Sequence, residues 1–150
     1  MIPERVKAIL DEHGLSAVEF EPGSTPTSRL AAEKLDVPVS HIAKSLLFVT
    51  KSREFHLIVA PGDARISNSK LRQTLGGKAR MATPAETNQI TGFLPGGVSP
   101  FGLSIPVHID VSLKGYETIY PAAGTDSSGV PVSYALLSSI VDARECDCIE

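Results

Sequence analysis

A glycine-rich loop, TGFLPGGVSPFG at residues 91–102, is the stretch best suited to bind a ligand through its backbone. It holds four glycines and two prolines, yet Phe93, Leu94, Val98 and Phe101 have apolar side chains. A surface tether would be polar, so this composition predicts a loop folded back against a core. Because glycine has no Cβ, such a loop can present backbone amides to a small ligand. A structural turn without a ligand is the alternative interpretation.

Lys44 is a cation that the sequence places beside an apolar surface. It lies at the start of a predicted strand at residues 43–50, whose continuous apolar run is typical of a strand covered on both faces. By the two-residue period of a strand, Lys44 shares a face with Leu46 and Phe48. Its ammonium group therefore either extends to water or meets an anion.

No side chain has the sequence context of an activated nucleophile or a metal ligand. Ser99 lies in Gly-Val-Ser-Pro-Phe rather than in a G-x-S-x-G elbow, so it either holds the loop by a local hydrogen bond or contacts a substrate. Cys146 and Cys148 form a C-x-C pair without further ligands at the spacing of a zinc site. The four histidines are scattered singly along the chain. We therefore expect free thiols, no bound metal and no cofactor.

Charge is distributed unevenly along a chain whose net charge is −3. Residues 44–80 contain eight basic and two acidic residues, which gives this segment +6 and leaves −9 for the remainder. The net negative charge disfavours a DNA-binding protein that holds a long duplex by charge alone. The basic segment predicts either one face for a polyanion or a set of separately solvated cations. Lys70 and Arg72, which share a predicted helix, are the candidate contacts on that face.

The order of elements predicts one mixed α/β domain over residues 1–150. A chain of 150 residues can bury a sizeable core by itself, and Thr27, Ser67 and Thr83 are suitable helix caps. The predicted helices cover residues 2–13, 28–35, 68–75, 84–90 and 134–141. The predicted strands or extended segments cover residues 16–21, 43–50, 54–60, 78–81, 105–111, 116–120 and 130–133, and a second small-residue loop occupies 121–129.

Nothing in the sequence predicts a membrane or export segment. No apolar run approaches the roughly 18 residues that a membrane helix needs. The first residues carry charges throughout and lack an apolar signal core. We therefore expect a cytoplasmic protein without a membrane partner.

Several motifs, taken in order, resemble those of the YbaK/prolyl-tRNA synthetase-associated editing-domain family. The resemblance covers residues 20–141. It is carried by Thr-Ser-Arg-Leu-Ala-Ala at 27–32, Val-Pro at 37–38, Ala-Lys-Ser-Leu-Leu-Phe at 43–48, Thr-Gly-Phe at 91–93, Gly-Gly-Val-Ser-Pro-Phe-Gly at 96–102, Ile-Tyr at 119–120, and Gly124. Each motif alone is weak, but the ordered set is fairly specific.

The resemblance implies a fold, an activity and a set of site residues. The fold would be a central mixed, barrel-like sheet flanked by helices. The activity would be hydrolysis of mischarged aminoacyl-tRNA in trans, of a tRNA(Pro)-type or other small-amino-acid product. The partners would be the aminoacylated 3′ end of tRNA, which Lys70 and Arg72 could help to bind, and an aminoacyl-tRNA synthetase. The implied catalytic positions are Lys44, Gly96, Gly97, Val98 and Ser99, and the implied substrate-binding positions are Thr27, Ser45, Pro100, Gly102 and Gly124.

One departure from the family pattern limits what the resemblance implies. Some members have an acidic residue just after the second loop, where this chain reads Gly-Val-Pro-Val at 129–132. No acidic site residue is therefore expected there, and the thiol-selective subgroup of the family is disfavoured.

The predicted chemistry uses backbone amides and one cation. Amides of residues 96–99 would stabilise the oxyanion formed during ester hydrolysis, with Phe93, Leu94 and Phe101 anchoring that wall to the core. Lys44, whose ordinary pKa is near 10.4, would bind the terminal phosphate or the oxyanion, and water or a substrate hydroxyl would attack. The alternatives are a tRNA- or synthetase-binding module without hydrolytic activity, and a nucleotide-binding regulator using the same cleft.

Overall fold

The computed structural model describes residues 1–150 as a central sheet with helices packed around it. The five α-helices are α1 (Glu4–Glu12), α2 (Ser28–Leu35), α3 (Asn68–Leu75), α4 (Pro84–Thr91) and α5 (Tyr134–Val141). The strands are β1 (Val18–Glu19), β2 (Ala43–Thr50), β3 (Phe55–Pro61), β4 (Ala79–Met81), β5 (Val107–Asp110), β6 (Ser128–Gly129) and β7 (Arg144–Cys146). Two short 3-10 helices cover Val39–His41 and Val111–Gly115.

The main sheet is mixed and has the strand order β4-β2-β3-β5-β7. β2 pairs antiparallel with β3 and β4, whereas β5 runs parallel to both β3 and β7. The predicted α+β class with a central mixed sheet is therefore confirmed. The sheet is open rather than closed into a barrel, because the short strands β4 and β7 form its two edges and do not pair with each other. β1 and β6 form a separate antiparallel pair.

Both faces of the central strands are covered, which explains the continuous apolar run of β2. On one face, Leu47 and Leu57 join a large core that includes Val6 of α1 and Leu137 of α5. The opposite face carries Phe48, which packs with Ile58, Leu71, Cys146 and Cys148 beneath α3. Burial on two sides favours apolar residues at successive positions rather than alternation.

The helices begin where the sequence predicts, because local capping groups define their first turns. Thr27, Ser67 and Ser133 accept hydrogen bonds from backbone amides in the first turns of α2, α3 and α5. Thr83 and Glu86 form the capping box predicted for α4. These helix-capping predictions are confirmed.

Non-local pairings account for the differences from the predicted strands. β7 is not predicted, because its Arg-Glu-Cys sequence has no apolar alternation and forms an edge strand only by pairing with β5. The predicted strand 16–21 shortens to β1. Segments 116–120 and 130–133 join through an isolated bridge between Ile119 and Val132 rather than a full ladder. No helix in the structure has the length and apolar character needed to cross a membrane.

Candidate functional site

A cleft of about 270 Å³ lies where α2, β2 and the two small-residue loops meet. Its walls are residues 25–28, Ala31 and Leu35 of α2, residues 42–46, Gly96 and Val98 of the glycine-rich loop, and Tyr120, Ala122 and Ser128. Pockets for drug-sized ligands run from about 300 to 1,000 Å³. This cleft therefore suits a small group.

The cleft exists because one edge of β2 is only partly paired. β4 pairs with Phe48–Thr50, at the far end of β2. At the near end, Ile42 forms an isolated bridge with Tyr120. Between these two contacts no strand pairs with the outer edge of β2, and residues 44–46 line the cleft there. The unpaired edge places Lys44 and Ser45 of the predicted set beside each other at the cleft.

The ammonium group of Lys44 is held by carbonyl groups of a neighbouring turn. Its Nζ donates hydrogen bonds to the carbonyl oxygens of Ala64 (2.6 Å) and Gly62 (3.5 Å). Burial lowers the pKa of Lys44, and the negative charge of Asp63 opposes that shift. Since an ammonium group has three donors, Lys44 retains one hydrogen for an anion in the cleft. The side chain is half-buried, so it does not simply extend into water.

Gly62 is a residue that sequence reasoning missed. A Cβ at this position would lie 2.5 Å from the carbonyl oxygen of Val39 and 2.9 Å from Cβ of Ser28. Only glycine therefore lets the carbonyl-bearing turn approach α2 and Lys44 this closely. The Pro-Gly pair at 61–62 could have indicated a tight turn, but not the long-range contact with Lys44.

Two residues of the glycine-rich loop, Gly96 and Val98, line the cleft. Gly96 has a left-handed backbone with φ of 91°, which favours glycine. The N–H groups of Gly96, Val98 and Ser99 donate to no other group of the protein, whereas the N–H of Gly97 donates to the carbonyl oxygen of Leu94 at 3.0 Å. Three of the four predicted amides are thus free of internal hydrogen bonds.

Ser99 and two aromatic residues anchor the loop to the core. Ser99 is buried and its Oγ accepts a hydrogen bond from the N–H of Phe101 at 3.2 Å, as the local-bond interpretation of this residue requires. Phe93 and Phe101 are buried in the main core. Leu94, in contrast, is 70% exposed, so its predicted role as a third anchor is wrong. The turn that ties Leu94 to Gly97 turns its side chain toward solvent.

The two small-residue loops pack directly against each other at glycine positions. A Cβ on Gly97 would lie 2.7 Å from the carbonyl carbon of Thr125. A Cβ on Gly124, whose φ is 98°, would lie 2.7 Å from Cε1 of Phe93. These two glycines thus set the separation of the loops, and neither lines the cleft.

Pro100 and Gly102 also lie outside the cleft. Pro100 is buried. Gly102 has φ of 77°, and a Cβ there would lie 3.5 Å from side-chain carbons of Arg5 and Ile9 in α1. Both residues therefore position the loop against α1.

Hydroxyl groups are concentrated along one wall of the cleft. Thr27 both lines the cleft and caps α2, because its Oγ1 accepts a hydrogen bond from the N–H of Leu30 at 3.2 Å. Ser128 accepts hydrogen bonds from the N–H of Ala123 (3.1 Å) and from Oγ1 of Thr125 (2.9 Å). The buried hydroxyls of Thr25 and Ser45 have no hydrogen-bond partner. Thr25 was not singled out by the sequence.

The two candidate polyanion contacts lie on α3, outside the cleft wall. Lys70 donates hydrogen bonds to Oδ1 of Asp147 (3.1 Å) and to the carbonyl oxygen of Ile149 (2.9 Å), so part of its charge is compensated. Arg72 is exposed and makes no ion pair. The polyanion-binding role of these residues stays a prediction.

Histidine and cysteine side chains are gathered away from the cleft. Nδ1 of His56 lies 3.1 Å from Nε2 of buried His108. Burial, together with the nearby charge of His56, lowers the pKa of His108 to about 4. Cys146 and Cys148 are free, buried thiols. No group of three His, Cys, Asp or Glu side chains is arranged to hold a metal ion.

Comparison with known proteins gives a consistent result. The family model for the aminoacyl-tRNA editing domain matches residues 22–139. The uncharacterized protein YwhH of Bacillus subtilis is 48% identical over 122 residues, which span 80% of this chain and 77% of YwhH. The proline–tRNA ligase of Solidesulfovibrio magneticus is 37% identical over 94 residues, 61% of this chain but only 16% of the ligase.

A solved structure gives an equally extensive match. It is the crystal structure of a candidate trans-editing enzyme for prolyl-tRNA synthetase, and it is 33% identical to this chain. The superposition has a TM-score of 0.88 and covers 97% of this chain and 95% of the other.

Proposed function

Because this chain belongs to the aminoacyl-tRNA editing domain family, we propose that it hydrolyses the amino-acid ester of a mischarged aminoacyl-tRNA in trans. The observation that carries the proposal is the cleft that joins the ammonium group of Lys44 to the free amides of Gly96 and Val98. A cation and aimed amide donors are what ester hydrolysis needs for a developing oxyanion. The proposed substrate is a tRNA(Pro)-type or other small-amino-acid mischarging product.

The size and lining of the cleft support a small aminoacyl group. Its volume of about 270 Å³ is modest, and Ala31, Leu35 and Ile42 form an apolar part of the wall. A small side chain would bury against these residues, with the ester carbonyl facing the glycine-rich loop. Lys44 would then face the terminal phosphate or the carbonyl oxygen.

Water or a substrate hydroxyl is the proposed attacking group. Ser99, the nearest loop hydroxyl in sequence, is buried and engaged with Phe101. In the hydrolytic step, an oxygen of water bonds to the ester carbonyl carbon and the bond to the ribose oxygen breaks. The ribose oxygen leaves with a proton, so the products are free amino acid and uncharged tRNA. One well-aimed oxyanion donor contributes on the order of 3 kcal/mol to such a step.

A deacylation assay with a panel of aminoacylated tRNA(Pro) species tests the proposal. The panel carries alanine, serine, cysteine or glycine, with proline as the correctly charged control. We expect wild-type protein to hydrolyse at least one mischarged species faster than the prolyl ester. Lys44→Ala should lower kcat/KM on the order of 100-fold, because a cation facing the developing charge is removed.

Two controls separate chemistry from folding. Lys51→Ala removes an exposed lysine outside the cleft and should leave the rate unchanged. Lys44→Met keeps most of the apolar stem and reports whether the lost bonds to Gly62 and Ala64 affect the unfolding free energy. Wild-type protein that binds tRNA but turns over no panel member would favour a non-catalytic binding module. Tight binding of free nucleotide, indifferent to the aminoacyl group, would favour a regulator.

A further inference from the structure

The hydroxyl wall of the cleft contains polar groups that the protein itself does not satisfy. Thr25 is only 5% exposed, and its Oγ1 has no hydrogen-bond partner. The buried Oγ of Ser45 is likewise without a partner, and both residues line the cleft. Most buried polar side-chain atoms in native proteins are hydrogen-bonded, so such exceptions require an explanation.

The backbone of Ser45 adds a third unsatisfied acceptor at the same wall. The N–H of Ala43 donates to the carbonyl oxygen of Tyr120 (3.1 Å), and the carbonyl oxygen of Leu47 accepts from the N–H of Ala82 (2.9 Å). Both bonds leave β2 on the side opposite β3. Because peptide groups alternate between the two edges of a strand, the peptide groups of Ser45 point to this same side. No strand pairs there, so the carbonyl group of Ser45 faces the cleft.

We propose that Oγ1 of Thr25, Oγ of Ser45 and the carbonyl oxygen of Ser45 bind the α-ammonium group of the aminoacyl ester. An ammonium group has three donors and no acceptor, which matches three acceptors. A side-chain hydroxyl of a substrate has one donor and would leave acceptors unpaired. This inference rests on the proposed function and assigns the recognition of one part of its substrate.

The arrangement divides the substrate among distinct walls of the cleft. The α-ammonium group meets Thr25 and Ser45, the side chain meets the apolar surface of α2, and the ester carbonyl meets the amides of Gly96 and Val98. Lys44 does not compete for the ammonium site, because its Nζ is held by the carbonyl oxygens of Gly62 and Ala64. The protein should therefore require a free α-amine in its substrate.

N-acetylation of the substrate tests this requirement directly. Acetylation converts the ammonium group into a neutral amide with one N–H and added bulk, so two acceptors lose their partners. With the same tRNA and amino acid, we expect kcat/KM for the N-acetylated ester to be at least 100-fold lower than for the free ester, since charge-assisted bonds are the stronger ones. Both esters are assayed side by side with wild-type protein.

Matched variants identify the groups that confer this preference. Thr25→Val replaces the hydroxyl at nearly constant volume and should lower kcat/KM for the free ester about tenfold, with little effect on the acetylated one. Thr25→Ser restores a hydroxyl and should recover most of the rate, even if the valine variant is poorly folded. Thr74→Val, outside the cleft beside Cys148, should change neither rate.

The outcomes distinguish this inference from the proposed function. Equal hydrolysis of free and acetylated esters would overturn the inference and leave the deacylase function intact. A Thr25→Val variant that changes only the preference between alanyl and seryl esters would assign the hydroxyl to side-chain recognition and also overturn it. Failure of the wild-type protein to hydrolyse any free ester would refute both together.

Discussion

Gly97 sets the distance between the two loops that border the cleft, and its substitution by alanine should disturb both stability and hydrolysis. A Cβ at this position would lie 2.7 Å from the carbonyl carbon and 3.0 Å from Cα of Thr125, and 3.1 Å from the backbone nitrogen of Asp126. Ordinary contacts begin at 3.4 Å, so the loops would have to separate by about 0.7 Å. These neighbours are backbone atoms and cannot rotate away.

The expected magnitude follows from the overlap. Overpacking of a close-packed contact costs about 1–3 kcal/mol, so the free energy of unfolding of Gly97→Ala should fall by that amount in urea denaturation. Displacement of the amide wall should lower kcat/KM for the mischarged ester about 10- to 100-fold, since a 1 Å misplacement can cost about 100-fold. Gly97 has no left-handed φ, so backbone strain does not contribute.

Gly115→Ala is the matched control for this prediction. A Cβ at Gly115 would meet no heavy atom within 4 Å, and its φ is not left-handed. This substitution should therefore leave activity unchanged and alter stability by a few tenths of a kcal/mol at most. If Gly97→Ala were as stable and as active as Gly115→Ala, the direct contact between the two loops would not be what positions the amides.

Two further predictions concern protonation and polyanion binding. The pKa of folded His108 is about 4, against 6.5 when unfolded, so the unfolded state binds more protons between these values; the unfolding free energy should fall by up to about 3 kcal/mol as pH drops from 6.5 to 4. Urea denaturation across this pH range should show a shallower slope for His108→Asn, and identical slopes would contradict the assignment. Charge reversal at Lys70 and Arg72 should weaken tRNA binding and reduce its salt dependence by about one contact per phosphate lost. Lys7→Glu on α1 is the control, and unchanged binding across a salt series would make Lys70 and Arg72 ordinary solvated cations.

Local signals explain why much of the fold could be predicted from the sequence. Side-chain caps such as Thr27 and the Thr83–Glu86 box act within a single helical turn, and the helices that they begin were predicted correctly. The apolar run of β2 likewise reports burial on both faces. β7 escaped prediction because its only strand-forming interaction is with β5, more than thirty residues earlier in the chain.

The candidate site was predictable in its members but not in their division of labour. The motifs at residues 27–32, 43–48 and 96–102 carried the resemblance to the editing-domain family, and the family match confirms it. Lys44, Ser45, Thr27, Gly96 and Val98 do meet at one cleft. The sequence did not indicate that Gly97 and Gly124 pack the loops together while Gly96 borders the cleft, because these glycines differ only in their distant neighbours.

By itself, the sequence determined the helices, the main strands and the family, since capping, periodicity and motif order are properties of neighbouring residues. The tertiary structure decided which polar groups remain without partners. Thr25 could not be identified from its flanking residues, because the lack of a partner for a buried hydroxyl depends on everything packed around it. Lys44 obtains its position from carbonyl groups 18 and 20 residues away. The chemistry of the cleft therefore depends on contacts that close only when the chain folds.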